Sequence, residues 1–168
     1  PQVGTSGEQF EVGRSDTAGA YLWFAQNAVD VAVVEVGLLG RYDATNVIDA
    51  DVAVVTTIGR DHTDGEGDWE VAIATEKAGI ISPESSLVSG VTDPRLQQVL
   101  LAESPAAAWF RPQDLDVIGD RPAVGGRVVD LRTPFGAHAD VFLPLHGVHQ
   151  AENLVVAVAA VEAFFDRA

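Results

Sequence analysis

Val29-Asp-Val-Ala-Val-Val-Glu-Val36 and Asp51-Val-Ala-Val-Val-Thr-Thr-Ile58 are two valine-rich, near-continuous apolar runs of strand length, separated by a polar loop. Apolarity that does not alternate predicts strands covered on both faces, as in a parallel sheet. Upstream, Thr17 to Ala28 is expected to be a helix, with Asp16 or Thr17 as its cap and Ala20, Leu22, Phe24 and Ala25 as packing residues. Downstream, Trp69 to Ala78 reads as a helix stopped by Gly79, and Ser86 to Ser89 as a short buried strand. Pro94 to Glu103 fits a further helix, capped by Asp93 and opened by Pro94. This alternation predicts an α/β fold with a mostly parallel, doubly wound sheet.

The predicted organisation has four parts. Residues 1–16 mix Gly, Ser, Gln and Asp and are expected to be an irregular lead-in, with the α/β core over 17–106. Residues 107–147 carry short strand-like pieces (Ala108–Phe110, Asp116–Ile118, Val128–Leu131, Val141–Leu143) punctuated by Gly and Pro. They predict a small antiparallel sheet, with Gly125–Gly126 as a hairpin turn. Residues 148–166 predict a closing amphipathic helix rich in alanine and valine, from Gln150 to Phe165 at its clearest.

Composition narrows the function. The 168 residues are 47% hydrophobic and 21% charged, ordinary for a globular chain. No apolar run in the sequence approaches the ~18 residues of a membrane span, and no basic-then-apolar signal opens the chain. Cysteine is absent, which excludes disulfides, zinc–thiolate sites and cysteine nucleophiles. Ten basic against 25 acidic residues give a net charge of −15, which argues against nucleic-acid and anionic-membrane partners. A cytoplasmic protein is expected. Lys77 is the only lysine, and it follows Glu76, so no G-x-x-x-x-G-K-[ST] phosphate loop is present in these residues. Methionine is absent and residue 1 is proline, so the chain is expected to be a piece of a longer or processed protein.

Three places carry chemistry. Glu35 lies at the end of the first valine run, and ligands of open α/β sheets bind beyond the carboxyl ends of strands. A carboxylate there is either a satisfied strand end or a ligand-handling group. Past the second run, Asp61-His62-Thr-Asp64 places imidazole and carboxylates together, a set suited to Mg²⁺ or Mn²⁺ and also to a capped, solvated turn. Lys77 stands at a helix C-terminus, where any cation is favoured. Yet the nine other basic residues are arginines, and arginine cannot supply a neutral amine. Arg41 and Arg60 read as solvated, although either can meet phosphate or carboxylate. Trp23, Trp69 and Trp109 read as packing residues.

Taken together, Glu35-Val-Gly-Leu-Leu-Gly-Arg-Tyr-Asp43-Ala-Thr-Asn46, Asp61-His-Thr-Asp64, Glu76-Lys-Ala-Gly-Ile80 and His149-Gln-x-x-Asn153 resemble the folylpolyglutamate synthase/dihydrofolate synthase branch of the Mur ligase family, in order and spacing over residues 19–165. The resemblance implies a P-loop NTPase-like central ATPase domain. It also implies a reaction: ATP-dependent amide formation, in which the γ-phosphate passes to a carboxylate of dihydropteroate or a folate and the amine of L-glutamate displaces it. By position it implies that Glu35 and His62 bind Mg²⁺, that Lys77 is N-carboxylated, that Asp43 and Ala44 contact the pterin, and that Asn153, with Gln150 in the same motif, lies near the adenine of ATP. Small-molecule partners and a monomer are expected. The family loop reads G-x-G-G-R, and here Leu39 replaces a glycine, which allows a different local backbone. The phosphate loop is expected upstream and the glutamate-binding domain downstream, so the chain alone is expected to be inactive. The competing readings are a Mur-type ligase for another carboxylate, a non-catalytic Mur-like binding module, and a metal-dependent phosphohydrolase using Glu35, Asp61 and His62.

Overall fold

The computed structural model describes residues 6–59 and 67–167. Three short strands, β1 (Val52–Val55), β2 (Ser86–Ser89) and β3 (Ala107–Phe110), pair in parallel in the order β1-β2-β3. Val52 stands opposite Ser86, and Ser86 opposite Ala107. Parallel pairing needs a crossover, and helices supply both: α2 (Trp69–Ala78) between β1 and β2, and α3 (Pro94–Leu101) between β2 and β3. The predicted cap of α3 is present, since the Asp93 carboxylate accepts from the Arg95 amide at 2.8 Å and Pro94 occupies the first turn.

The two faces of this sheet are buried under different layers. Ala53, Val55 and Leu87 point to one side, where they pack with Ala74, Ala78, Leu96 and Leu100 of α2 and α3. Val88 points to the other side, against α4 (Val148–Arg167). On α4, Ala151, Val155, Ala159 and Ala163 recur every four residues, and this small-residue stripe is buried. Beyond α4 lies an antiparallel sheet, β4 (Asp116–Ala123), β5 (Gly126–Arg132) and β6 (Ala137–Leu143), which contributes Val129, Leu131 and Leu143 to the same core. The order of layers is α2/α3, parallel sheet, α4, antiparallel sheet. Over Val148–Asp166, α4 is long and apolar enough to cross a membrane, contrary to the reading of the sequence. One face of α4, with Ala151, Val155, Ala159 and Ala163, packs between the two sheets, while Val148, Val161 and Phe165 remain exposed.

Four local expectations are corrected. The first valine run, 29–36, forms no strand; Val31 and Val33 are 51% and 95% exposed, and no described strand lies beside it. Apolar composition favours extension, but a ladder needs a neighbouring edge. The lead-in is not irregular throughout: helix α1 spans Ser6–Gln26. No proline interrupts that stretch, and its weak amphipathic periodicity concealed it. The segment Ala107–Phe110 belongs to the parallel sheet and not to the antiparallel one, because α3 returns the chain alongside β2. The hairpin turn is Val124–Gly125, with Gly125 at φ +79° and Gly126 already paired to Ala123.

Candidate active site

The site is built where loop 37–46 lies against the C-terminal turn of α2. Two glycines make this approach possible. A Cβ on Gly40 would lie 2.7 Å from the Glu76 carbonyl oxygen and 3.1 Å from the Lys77 Cα. A Cβ on Gly79 would lie 2.6 Å from the Arg41 Cα. Gly79 itself has helical torsions, φ −61° and ψ −9°, so it is required for contact and not for a left-handed helix stop. Through this seam the Arg41 amide donates to the Glu76 carbonyl at 2.9 Å. The Asn46 amide group donates to the carbonyls of Arg41 and Gly79 at 3.1 and 2.9 Å. The Arg41 guanidinium donates to the Thr75 carbonyl at 3.3 Å and pairs with Glu103. Hydrogen bonding to Glu103 holds the guanidinium in its charged form and raises its pKa.

Asp43 closes the loop on itself. One carboxylate oxygen accepts from the Thr45 amide at 2.9 Å and from its hydroxyl at 2.6 Å, and the other accepts from the Leu38 amide at 2.9 Å. Partial burial pushes this carboxyl up, but the hydrogen bonds from Thr45, Leu38 and Gly37 outweigh it and hold the group below the usual aspartate range. Leu39 adopts φ +60°, so the loop keeps a backbone suited to glycine although the side chain is leucine. Tyr21 of α1 donates its hydroxyl to the Thr45 carbonyl at 2.8 Å. Burial, then the Asp43 charge, raises the Tyr21 pKa. Between α1 and the loop lies a cavity of about 330 Å³ lined by Thr17, Ala18, Tyr21, Tyr42, Asp43 and Ala44.

Of the residues singled out in the sequence, Asp43, Ala44 and Lys77 are brought onto adjoining segments. Lys77 is half-buried in the last turn of α2. Glu35 is exposed on the unpaired segment and does not end a buried strand. His62 lies outside the described residues, as do Asp61, Asp64 and Arg60. Among the described residues no group of three His, Asp or Glu side chains is placed to hold a metal ion. Gln150 and Asn153 sit in the first turns of α4, on the opposite face of the parallel sheet from α2, Gln150 half-buried and Asn153 exposed. Between them Glu152 pairs with Arg111 at 3.3 Å, and Arg111 also holds Asp116 at 3.0 Å. That ties the start of α4 to the carboxyl end of β3, the end at which α/β sheets bind ligands. Reading the sequence missed Arg41 and Arg111 as organising residues. The signal for Arg41 was the pair Gly40 and Gly79; nothing local marks Arg111.

Residues 14–161 match the model of the Mur ligase middle domain. The chain belongs to the Mur ligase middle-domain family. It is 49% identical over 158 residues to the dihydrofolate synthase/folylpolyglutamate synthase of Mycobacterium tuberculosis, an alignment covering 89% of this chain and 32% of that protein. The Bacillus subtilis protein of the same name is 37% identical over 150 residues, covering 87% of this chain and 35% of its own length. Among solved structures, Mycobacterium tuberculosis folylpolyglutamate synthase complexed with ADP superposes with a TM-score of 0.84 at 48% identity, over 89% of this chain and 35% of that one. A folylpolyglutamate synthase complexed with AMPPCP and folate gives 0.82 at 32% identity, over 89% and 37% of the two chains. This Mur ligase domain therefore spans about a third of the length of these relatives. The expected α/β class, a parallel sheet with a separate antiparallel sheet, holds.

Proposed function

We propose that the protein carrying this domain is an ATP- and Mg²⁺-dependent amide ligase that adds L-glutamate to dihydropteroate or a folate through an acyl phosphate. The observation that carries this reading is 49% identity to a dihydrofolate synthase/folylpolyglutamate synthase across 89% of the chain, together with the folded loop that carries Asp43 and Ala44 and rests through Gly40 and Arg41 on the Lys77 turn. A carboxylate suits a hard cation, and Glu35 offers one that is exposed; with the imidazole of His62 it would hold Mg²⁺. When bound, Mg²⁺ would offset charge on the phosphoryl group in transfer. The neutral Lys77 amine, on adding to CO₂ and releasing a proton, would become an anionic carbamate able to face that cation. The Asp43 loop shapes one wall of the 330 Å³ cavity, which takes the flat carboxylate substrate between Tyr21 and Tyr42. Because the Asp43 carboxylate is already engaged by three donors, its first role is to shape that wall. Gln150 and Asn153 present amide donors and acceptors to the adenine from the start of α4. Catalysis then rests on placement and electrostatics more than on proton transfer.

The test is glutamate ligation by the full-length protein. ATP-dependent formation of dihydrofolate or of a longer glutamyl tail, lost on chelation of Mg²⁺, is the expected result. Phosphate release from ATP that ignores both dihydropteroate and folates refutes the assignment.

A further inference from the structure

Arg41 performs two separate tasks at the seam between the loop and α2. Its backbone is stitched to α2 and to Asn46, through the Arg41 amide on Glu76 and the Asn46 amide group on the Arg41 carbonyl. Its guanidinium then crosses the last turn of α2, donates to the Thr75 carbonyl at 3.3 Å and pairs with Glu103 just past α3. Both partners of this ion pair are about one-third exposed, 34% and 30%. The Arg41 side chain thus joins three pieces of chain: loop 37–46, the turn bearing Lys77, and the end of α3. Gly79 faces Arg41 across the seam, and the adjoining Gly40 lets the loop backbone approach Glu76 and Lys77, while the Asn46 side chain is the second one to bridge loop and helix.

We propose that Arg41, through Glu103, is a positioning residue that makes Asp43–Ala44 and Lys77 move as one body, so that the substrate carboxylate is presented to the Lys77 end of the site. This deepens the proposed function and rests on it. A surface ion pair of this exposure contributes little to stability. Its consequence is expected in geometry, where displacement of about 1 Å costs on the order of 100-fold in rate. Nucleotide contacts are spared, because Gln150 and Asn153 lie on the other face of the parallel sheet.

The experiment uses the full-length enzyme and the variants Arg41→Ala, Arg41→Lys and Glu103→Ala. For Arg41→Ala, kcat with the pteroate or folate substrate is expected to fall by roughly 10- to 100-fold while KM for ATP stays within about twofold. Arg41→Lys, whose ammonium can donate to both Thr75 and Glu103, is expected to recover most of the loss. Glu103→Ala is expected to reproduce part of it. Hydrogen exchange of the Arg41 and Asp43 amides is expected to accelerate in Arg41→Ala, with the global unfolding midpoint nearly unchanged. Wild-type kinetics in Arg41→Ala, or an equal rise of KM for both substrates accompanied by loss of global stability, overturns the proposal. Should the wild-type protein add no glutamate, the functional assignment fails by itself, and unchanged exchange protection in Arg41→Ala then overturns the coupling.

Discussion

Gly79→Ala separates two accounts of one glycine by the sign of its effect. At φ −61° and ψ −9° the backbone of Gly79 is helical, and alanine adopts those torsions without strain. If the glycine merely ends the helix, replacing it should stabilise the protein by ~0.4–1 kcal/mol through a less flexible unfolded chain. The contact predicts the reverse. An added methyl group would sit 2.6 Å from the Arg41 Cα, which is backbone and cannot swing aside. Loop 37–46 must lift from α2, putting at risk the hydrogen bonds from the Arg41 amide to Glu76, from Asn46 to Gly79 and from the Arg41 guanidinium to Thr75. Each contributes about 1 kcal/mol, so with the entropic gain subtracted the net destabilisation is about 2 kcal/mol. For a domain of this size that lowers the thermal midpoint by roughly 4–8 °C. Calorimetry of the full-length protein, following the transition of this domain, measures it. A midpoint equal to or above wild type refutes the close-packed seam.

Other perturbations have expected outcomes. Leu39→Gly removes a left-handed leucine at φ +60°, and the relief of ~1–2 kcal/mol is largely offset by the flexibility of glycine, so stability by urea unfolding should stay within about 1 kcal/mol of wild type. Leu39→Ile, which sets a β-branched side chain on the same torsion, should fall clearly below both; equal stability of all three would show the torsion to be wrong. Asp43 has a depressed pKa in the folded protein, so its contribution is complete above the unfolded value of about 3.9 and is lost as pH falls through the lower folded value; Asp43→Asn should therefore flatten the acid limb of stability against pH. Arg111→Ala leaves Asp116 and Glu152 without their shared cation, and a loss of about 2 kcal/mol is expected in denaturant unfolding, with Asp116→Asn costing less. Lys77→Ala should abolish ligation by the full-length protein while circular dichroism stays unchanged; unaltered turnover would remove Lys77 from the chemistry.

The sequence by itself determined those elements whose information is local. Asp93-Pro94 announces the start of α3 because cap and fixed φ act within one turn. The valine run at Val52–Val55 reads as a strand because β-branched residues favour extended backbone and unbroken apolarity fits burial on both faces, which α2 and α3 on one side and α4 on the other supply. The four spaced motifs identified the Mur ligase family, since their joint spacing is far more specific than any one of them. Tertiary structure alone decided the rest. The equally apolar run at 29–36 has no strand beside it among the described residues, and composition cannot supply a hydrogen-bonding edge. Ala107–Phe110 joined the parallel sheet because α3 returns the chain alongside β2, a matter of chain path that four apolar residues cannot encode. The sequence shows Gly40 and Gly79 as two glycines 39 positions apart. Only the fold shows that each clears space for the other's segment, and that Arg41 and Asn46 cross the seam this creates. Contacts between residues distant in the chain depend on where the backbone returns, and that is settled when the core closes.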